Sequence, residues 1–313
     1  MALDPQAQFV LDLIVKSGRP AYDTLSPKEA RQLFRDTRPA STPQPPEIGA
    51  VRNLPAEGPA GVIPLRLYRP KGVADTTALP VFVYFHGGGW VIGDLDTHDV
   101  LCRQLTAEAG VSVVSVDYRL APEHKYPASL DDAWAATSWI VGHAGQLAID
   151  PTRVAVGGDS AGGNLAAVVA LMARDAGAPA LALQVLQYPV TDLSAESRSY
   201  QQFAEGYMLT RTGMRWFKAH YLDKPEDARD WRVSPLLAPS LAGVAPALIV
   251  TAGFDPLRDE GAAYAERLRD AGVTVDYVCY GGMLHGFTPM GKLIETGNRA
   301  VTLIAGAMRQ ALR

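Results

Sequence analysis

The sequence predicts an α/β fold: a mostly parallel central sheet with helices on both faces. Three observations carry that expectation. Strand-like and helical segments alternate through most of the chain, the order that builds a parallel sheet. Val81-Phe-Val-Tyr-Phe85 is a continuous apolar run, as a strand covered on both faces requires. Gly158-Asp-Ser-Ala-Gly162 lies between an apolar run, Arg153–Gly157, and a helical one, Gly163–Met172. A strand there enters a helix through a turn flanked by glycines.

Composition fits a packed globular chain. Of 313 residues, 48% are hydrophobic and 20% charged, enough for one large α/β domain with an insertion or for two smaller domains. A net charge of −4 without a basic run argues against a nucleic-acid or anionic-membrane surface. The two cysteines, Cys102 and Cys279, are too few for a disulfide framework, lack metal-ligand spacing, and read as small buried hydrophobes. The N-terminus has no basic segment followed by an apolar one, and no run of about 18 apolar residues occurs. A cytoplasmic protein is expected.

Residues 1–40 read as helical. Ser26-Pro27-Lys28-Glu29 has the residues of a capping box with proline at the first helical position, and Leu33 and Phe34 supply apolar contacts. Ala40–Glu47 is a proline-rich connector. Ile63–Tyr68 alternates like a half-exposed strand, and Val81–Phe85 is the buried one. A helix over Thr97–Ala109, a strand over Val111–Asp117 and a helix over Ser129–His143 follow. After the glycine-flanked turn and its helix come strand Leu181–Gln187, strand Ala247–Thr251, helix Glu260–Ala271, strand Val273–Tyr280 and a helix from about Gly291. The alternation breaks between about Thr191 and Arg232. That segment reads as helices inserted after a sheet strand, hence over the carboxyl end of the sheet, where ligands bind.

The glycine-flanked turn fits the G-x-S-x-G nucleophile elbow, in which a strained turn lifts a serine above the sheet. A serine hydroxyl needs a base, and the base needs an orienting carboxylate. In elbow architectures the chain order is Ser, Asp or Glu, then His. Ser160, Asp255 and His285 satisfy it, the last two just after Ala247–Thr251 and Val273–Tyr280. Taken singly, Asp255 is also an ordinary turn residue before proline, and His285 an ordinary packing histidine. His86-Gly-Gly-Gly89 follows strand Val81–Phe85 and suits an oxyanion loop, with the N–H groups of Gly88, Gly89 and Ala161 as donors. Three glycines also suit a purely structural turn.

His86-Gly-Gly-Gly-Trp90 together with Gly158-Asp-Ser-Ala-Gly-Gly-Asn164 resembles the bacterial hormone-sensitive lipase-like carboxylesterases, an α/β-hydrolase family. Asp117–Ala128, Asp255–Glu260 and His285-Gly-Phe287 resemble further blocks of that family, so the likeness covers nearly the whole chain. It implies a single hydrolase domain over 1–313, with a helical cap from 1–45 and about 191–232 on a core of about 46–190 and 233–313. It implies hydrolysis of short- to medium-chain acyl esters by a Ser160–His285–Asp255 triad through an acyl-enzyme, with no metal and no cofactor. Asp159 and His86 are then expected to hold loops, and Asp117–Ala128 to shape the core near the site. Trp90, Met208, Leu209 and Phe217 are the expected apolar pocket, and a small-molecule ester the expected ligand. An amidase or acyltransferase on the same scaffold remains open. A non-catalytic receptor, as in the plant gibberellin receptors, is disfavoured because such proteins typically lose the histidine that His285 supplies. Strand Val273–Tyr280 is expected at a sheet edge, where a homodimer is possible.

Overall fold

The computed structural model describes residues 2–313; residue 1, the start of the expected N-terminal helical piece, lies outside the described residues. The chain begins with helices α1 (Pro5–Ser17) and α2 (Pro27–Ser41). The expected capping box closes α2: Ser26 Oγ accepts from the Glu29 N–H, and the Ser26 N–H donates to the Glu29 carboxylate at 2.9 Å. Three strands follow: β1 (Ala50–Gly58), β2 (Gly61–Arg69) and β3 (Leu79–Phe85). Then come α3 (Asp99–Ala109), β4 (Ser112–Val116), α4 (Ala128–Gly142), the one-turn α5 (Ala144–Leu147), β5 (Ile149–Asp159) and α6 (Ala161–Ala176). The second half runs β6 (Leu181–Gln187), α7 (Arg198–Gln202), α8 (Arg211–Tyr221), β7 (Ala247–Phe254), α9 (Arg258–Asp270), β8 (Val275–Leu284) and α10 (Glu295–Ala311).

Among the described residues, eight strands form one sheet in the order β1-β2-β4-β3-β5-β6-β7-β8. From β4 to β8 every pairing is parallel, while β1–β2 and β2–β4 are antiparallel. The expected mostly parallel sheet is therefore present, with an antiparallel margin and with β8 at the far edge. β1 was not expected from the sequence. Pro55, Arg52 and Glu57 interrupt any apolar run, because the strand is an exposed edge paired on one side alone. The β3 and β4 side chains are almost all buried, as the apolar run of Val81–Phe85 requires and as the valines and two small serines of β4 allow.

The sheet has two covered faces and hence two apolar clusters. One gathers Val83, Phe85, Val156 and Leu186 with α4, α6 and α9, and the other gathers Phe82, Tyr84, Val185 and Val250 with α3 and α10. No helix among the described residues is long and apolar enough to cross a membrane.

Candidate active site

His86, Ser160, Asp255 and His285 each follow directly on the last residue of β3, β5, β7 and β8. Parallel strands bring those four carboxyl ends to one edge of the sheet. The local sequence dictates how tightly. Ser160 sits between β5 and α6 at φ 56°, ψ −116°, a left-handed conformation unusual for a residue with a side chain. A β-carbon at Gly158 or Gly162 would overlap the Phe85 carbonyl at the end of β3. The turn therefore tolerates glycine alone on both sides of the serine.

The polar side chains meet in a chain of two hydrogen bonds. Ser160 Oγ lies 2.9 Å from His285 Nε2, and His285 Nδ1 lies 2.7 Å from Asp255 Oδ2. Asp255 is fully buried and its other oxygen accepts from the Leu257 N–H at 2.9 Å, which fixes the carboxylate plane. Tyr188 packs on the His285 ring with centroids 4.8 Å apart. With a carboxylate on Nδ1, the favoured tautomer carries its proton there and leaves Nε2 to accept from the serine. Such an arrangement can remove the hydroxyl proton as the oxygen attacks a carbonyl carbon.

The loop after β3 faces this serine. Gly88 has φ 121° and Gly89 φ 58°, both in the region that favours glycine. Among the described residues, neither N–H donates to a backbone carbonyl, and the Ala161 N–H opens α6, where helical amides have no intrahelical acceptor. The fixed shape of the loop comes from beneath. Asp159 Oδ1 accepts from the Gly87 N–H at 2.8 Å and from the Tyr84 hydroxyl at 2.6 Å, with His98 Nε2 at 3.4 Å. Burial would push the Asp159 carboxyl up, but His98, Tyr84 and Arg38 together hold it well below the usual carboxylate range. His86 stacks on Tyr118 at 4.3 Å, and the Tyr118 hydroxyl donates to the His86 carbonyl at 2.6 Å. Burial, with His98 nearby, lowers the His86 imidazole to about 4, so it is neutral at physiological pH. The Asp117–Ala128 segment touches the loop at its far end, where the Ala121 N–H donates to the Trp90 carbonyl at 2.8 Å.

A cavity of about 100 Å³ opens over Ser160. Gly88, Gly89, Trp90, Met208, Leu209 and Phe217 all line it, together with Ser160 and His285. The Trp90 indole stacks on Tyr221 at 4.1 Å. Sequence reasoning missed Tyr22, Phe34 and Arg38, which reach the same cavity from the N-terminal helices. A signal existed: Phe34 and Arg38 stand four residues apart on α2 and so share a face. Among the described residues, no three His, Cys, Asp or Glu side chains converge as a metal-ligand set.

A family profile described as the alpha/beta hydrolase fold matches residues 82–289. Carboxylic ester hydrolase LipN of Mycobacterium tuberculosis is 53% identical over 249 residues, covering 78% of this chain and 65% of LipN. Ethyl acetate hydrolase of Pseudomonas putida is 39% identical over the full length of both chains. Among solved structures, an ester hydrolase from the metagenome of Lake Arreo, in complex with a derivative of bipyridine phosphonate, superposes with a TM-score of 0.95. It is 45% identical and covers 98% of each chain.

Proposed function

The chain belongs to the α/β-hydrolase fold family, among the ester hydrolases that resemble hormone-sensitive lipase, and from that premise we propose that it cleaves short- to medium-chain acyl esters through an acyl-enzyme on Ser160. The observation that carries the reading is the contact of Ser160 Oγ with His285 Nε2 at 2.9 Å, backed by Asp255 at 2.7 Å.

In this mechanism Ser160 Oγ attacks the ester carbonyl carbon while its proton passes to His285 Nε2. The carbonyl π electrons move to oxygen, and the Gly88, Gly89 and Ala161 N–H groups hold the oxyanion. Collapse expels the alcohol oxygen, which takes the proton from His285. Water then enters, gives a proton to His285 and attacks the acyl carbon. The second collapse releases the acid and returns the proton to Ser160. Asp255 orients the ring through its hydrogen bond at His285 Nδ1.

The N-terminal helices and the 191–232 insertion act as the cap. Trp90, Met208, Leu209 and Phe217 wall the acyl and alcohol spaces. Bulky side chains at the cavity favour short chains, and a full-length relative named for ethyl acetate points the same way. The β8 edge serves a homodimer, which light scattering tests.

Ser160→Ala and His285→Ala should each lower p-nitrophenyl butyrate turnover by about 10³-fold or more with the circular dichroism spectrum retained. Asp255→Asn should cost about 10²- to 10⁴-fold. Near-normal turnover in any of the three removes that residue from the mechanism. Matched esters and amides separate the esterase reading from an amidase, which would cleave the amide at a comparable rate.

A further inference from the structure

We propose that Arg38 makes the cavity over Ser160 selective for esters that carry a carboxylate away from the scissile bond. The proposal rests on the ester-hydrolase reading above and concerns which esters are taken.

Arg38 comes from α2, outside every motif that identifies the site, and it is only 9% exposed. Its Cζ stands 4.9 Å above the Phe34 ring, and both side chains line the cavity with Ser160 and His285. The walls are otherwise largely apolar, with Phe34, Ile92, Val190, Met214 and Phe217 prominent. A buried guanidinium needs its donors met. Nε donates to the Thr97 carbonyl at 3.2 Å. Nη2 lies 3.4 Å from His98 Nε2, the nitrogen that is also 3.4 Å from Asp159 Oδ1. One ring nitrogen cannot accept from the guanidinium and donate to the carboxylate at once, so while it serves Asp159, Nη2 is unpaired. Nη1 has no hydrogen-bond partner among the described residues, and no carboxylate there stands within ion-pair distance of Arg38.

The obvious alternative is that Arg38 merely balances the charge of Asp159. Asp159 already accepts from Tyr84 and Gly87 and has His98 beside it. Arg38 acts on it through space without a hydrogen bond, and Nη1 is left without a partner. The Nη1 end of a guanidinium is where a carboxylate binds, through parallel N–H donors. A neutral ester leaves those donors unmet in an apolar cavity, whereas a carboxylate-bearing one meets them. Sites with buried polar groups discriminate strongly for the ligand that satisfies them.

Two matched pairs test the proposal at pH 7.5. Methyl valerate against methyl hydrogen glutarate places the charge on the acyl side; butyl acetate against 4-acetoxybutanoate places it on the alcohol side. On at least one side, wild-type kcat/KM for the charged ester should come within about tenfold of the neutral one or exceed it. In Arg38→Met the charged-to-neutral ratio on that side should fall about tenfold or more, and Arg38→Lys should recover part of it. Rejection of both carboxylates by the wild type beyond about tenfold overturns the proposal. So does a loss in Arg38→Met that is equal for both members of a pair, which would make Arg38 a structural residue. If Arg38→Met does not fold, the wild-type ratios and Arg38→Lys decide. Failure of the wild type to cleave even the neutral esters would instead refute the ester-hydrolase reading.

Discussion

Replacing Asp159 by asparagine removes one negative charge and almost no volume, at a residue that holds the glycine loop proposed to bind the oxyanion. The asparagine oxygen can still accept from the Gly87 N–H and the Tyr84 hydroxyl, which now stand at 2.8 and 2.6 Å. What changes is their strength. Hydrogen bonds to a charged acceptor contribute roughly 1.5–3 kcal/mol, and neutral ones about 0.5–1.5. Two weakened bonds therefore cost about 2 kcal/mol. With about 2.1 cal/mol/K of unfolding entropy per residue over 313 residues, Tm should fall by about 3 °C. The Asp159 carboxyl is held below its unfolded value of about 3.9, so its stabilisation is full above that pH and is lost as pH falls toward the folded value. The difference between Asp159→Asn and wild type should thus be flat from pH 5 to 8 and shrink below about pH 4. The kinetic effect follows from Gly87 preceding the donors Gly88 and Gly89. Losing one oxyanion donor outright costs about 10²–10³ in kcat, so loosening the loop that carries two should cost on the order of tenfold, with KM little changed. Tyr84→Phe is the control, because it removes one of the Asp159 bonds without touching Gly87. It should lower stability by roughly 1.5–3 kcal/mol while kcat stays within about twofold. Steady-state kinetics with p-nitrophenyl butyrate and thermal unfolding by circular dichroism read both quantities. Wild-type kcat in Asp159→Asn, or an equal fall in Tyr84→Phe, refutes the reasoning.

Two further outcomes are expected. Phe217 packs so close to the oxyanion loop that a β-carbon on Gly89 would overlap its ring, so Phe217→Ala should open the cavity; with about 0.8 kcal/mol per buried methylene, the hexanoate-to-butyrate ratio of kcat/KM should rise on the order of tenfold, and an unchanged ratio across acetate to palmitate esters would remove Phe217 from the acyl wall. Glu260 accepts from the Thr191 N–H at 2.7 Å in a fully desolvated setting, and burial raises its carboxyl well above the usual range. The folded state then binds the proton more tightly than the unfolded one, so wild-type stability falls as pH rises above about 4.3. Glu260→Gln keeps the acceptor and lacks that proton, so urea unfolding should favour the variant more at pH 8 than at pH 5; the reverse trend would mean that Glu260 is ionised in the fold.

The strands that carry the site were legible because burial wrote them plainly. β3 and β4 lie covered on both faces, and the segments expected from the sequence fall within two residues of the observed bounds. β7 and β8 were foreshortened at their carboxyl ends, where Gly253 and Gly281–Gly282 look like loop. There the two strands press so close that a β-carbon at Gly253 would overlap the Gly281 carbonyl. Glycine in that place records close approach of two backbones, a tertiary fact that no local pattern carries. β1 failed for the opposite reason: an edge strand is free to hold proline and charge.

The same distinction separates the two halves of the site. The elbow, the glycine loop and the two strand-end residues each stand in a short recognisable pattern at the end of a strand, so local sequence suffices to propose them. The cavity above them has no such pattern. Tyr22, Phe34 and Arg38 come from before the first strand, and Met208, Leu209 and Phe217 from the insertion between β6 and β7; they meet because α8 packs against the turn at Tyr22–Thr24. Their identities answer to one another across about 180 residues of chain. Arg38 shows the consequence. On α2 it reads as a solvated charge near the end of an amphipathic helix, as do Arg31 and Arg35, both of which find carboxylates in Glu123 and Asp94. Only packing reveals that Arg38 has turned inward without one. Its Nη1 is left without a partner in a residue that lines the cavity over Ser160, and that is where the choice of substrate should be sought.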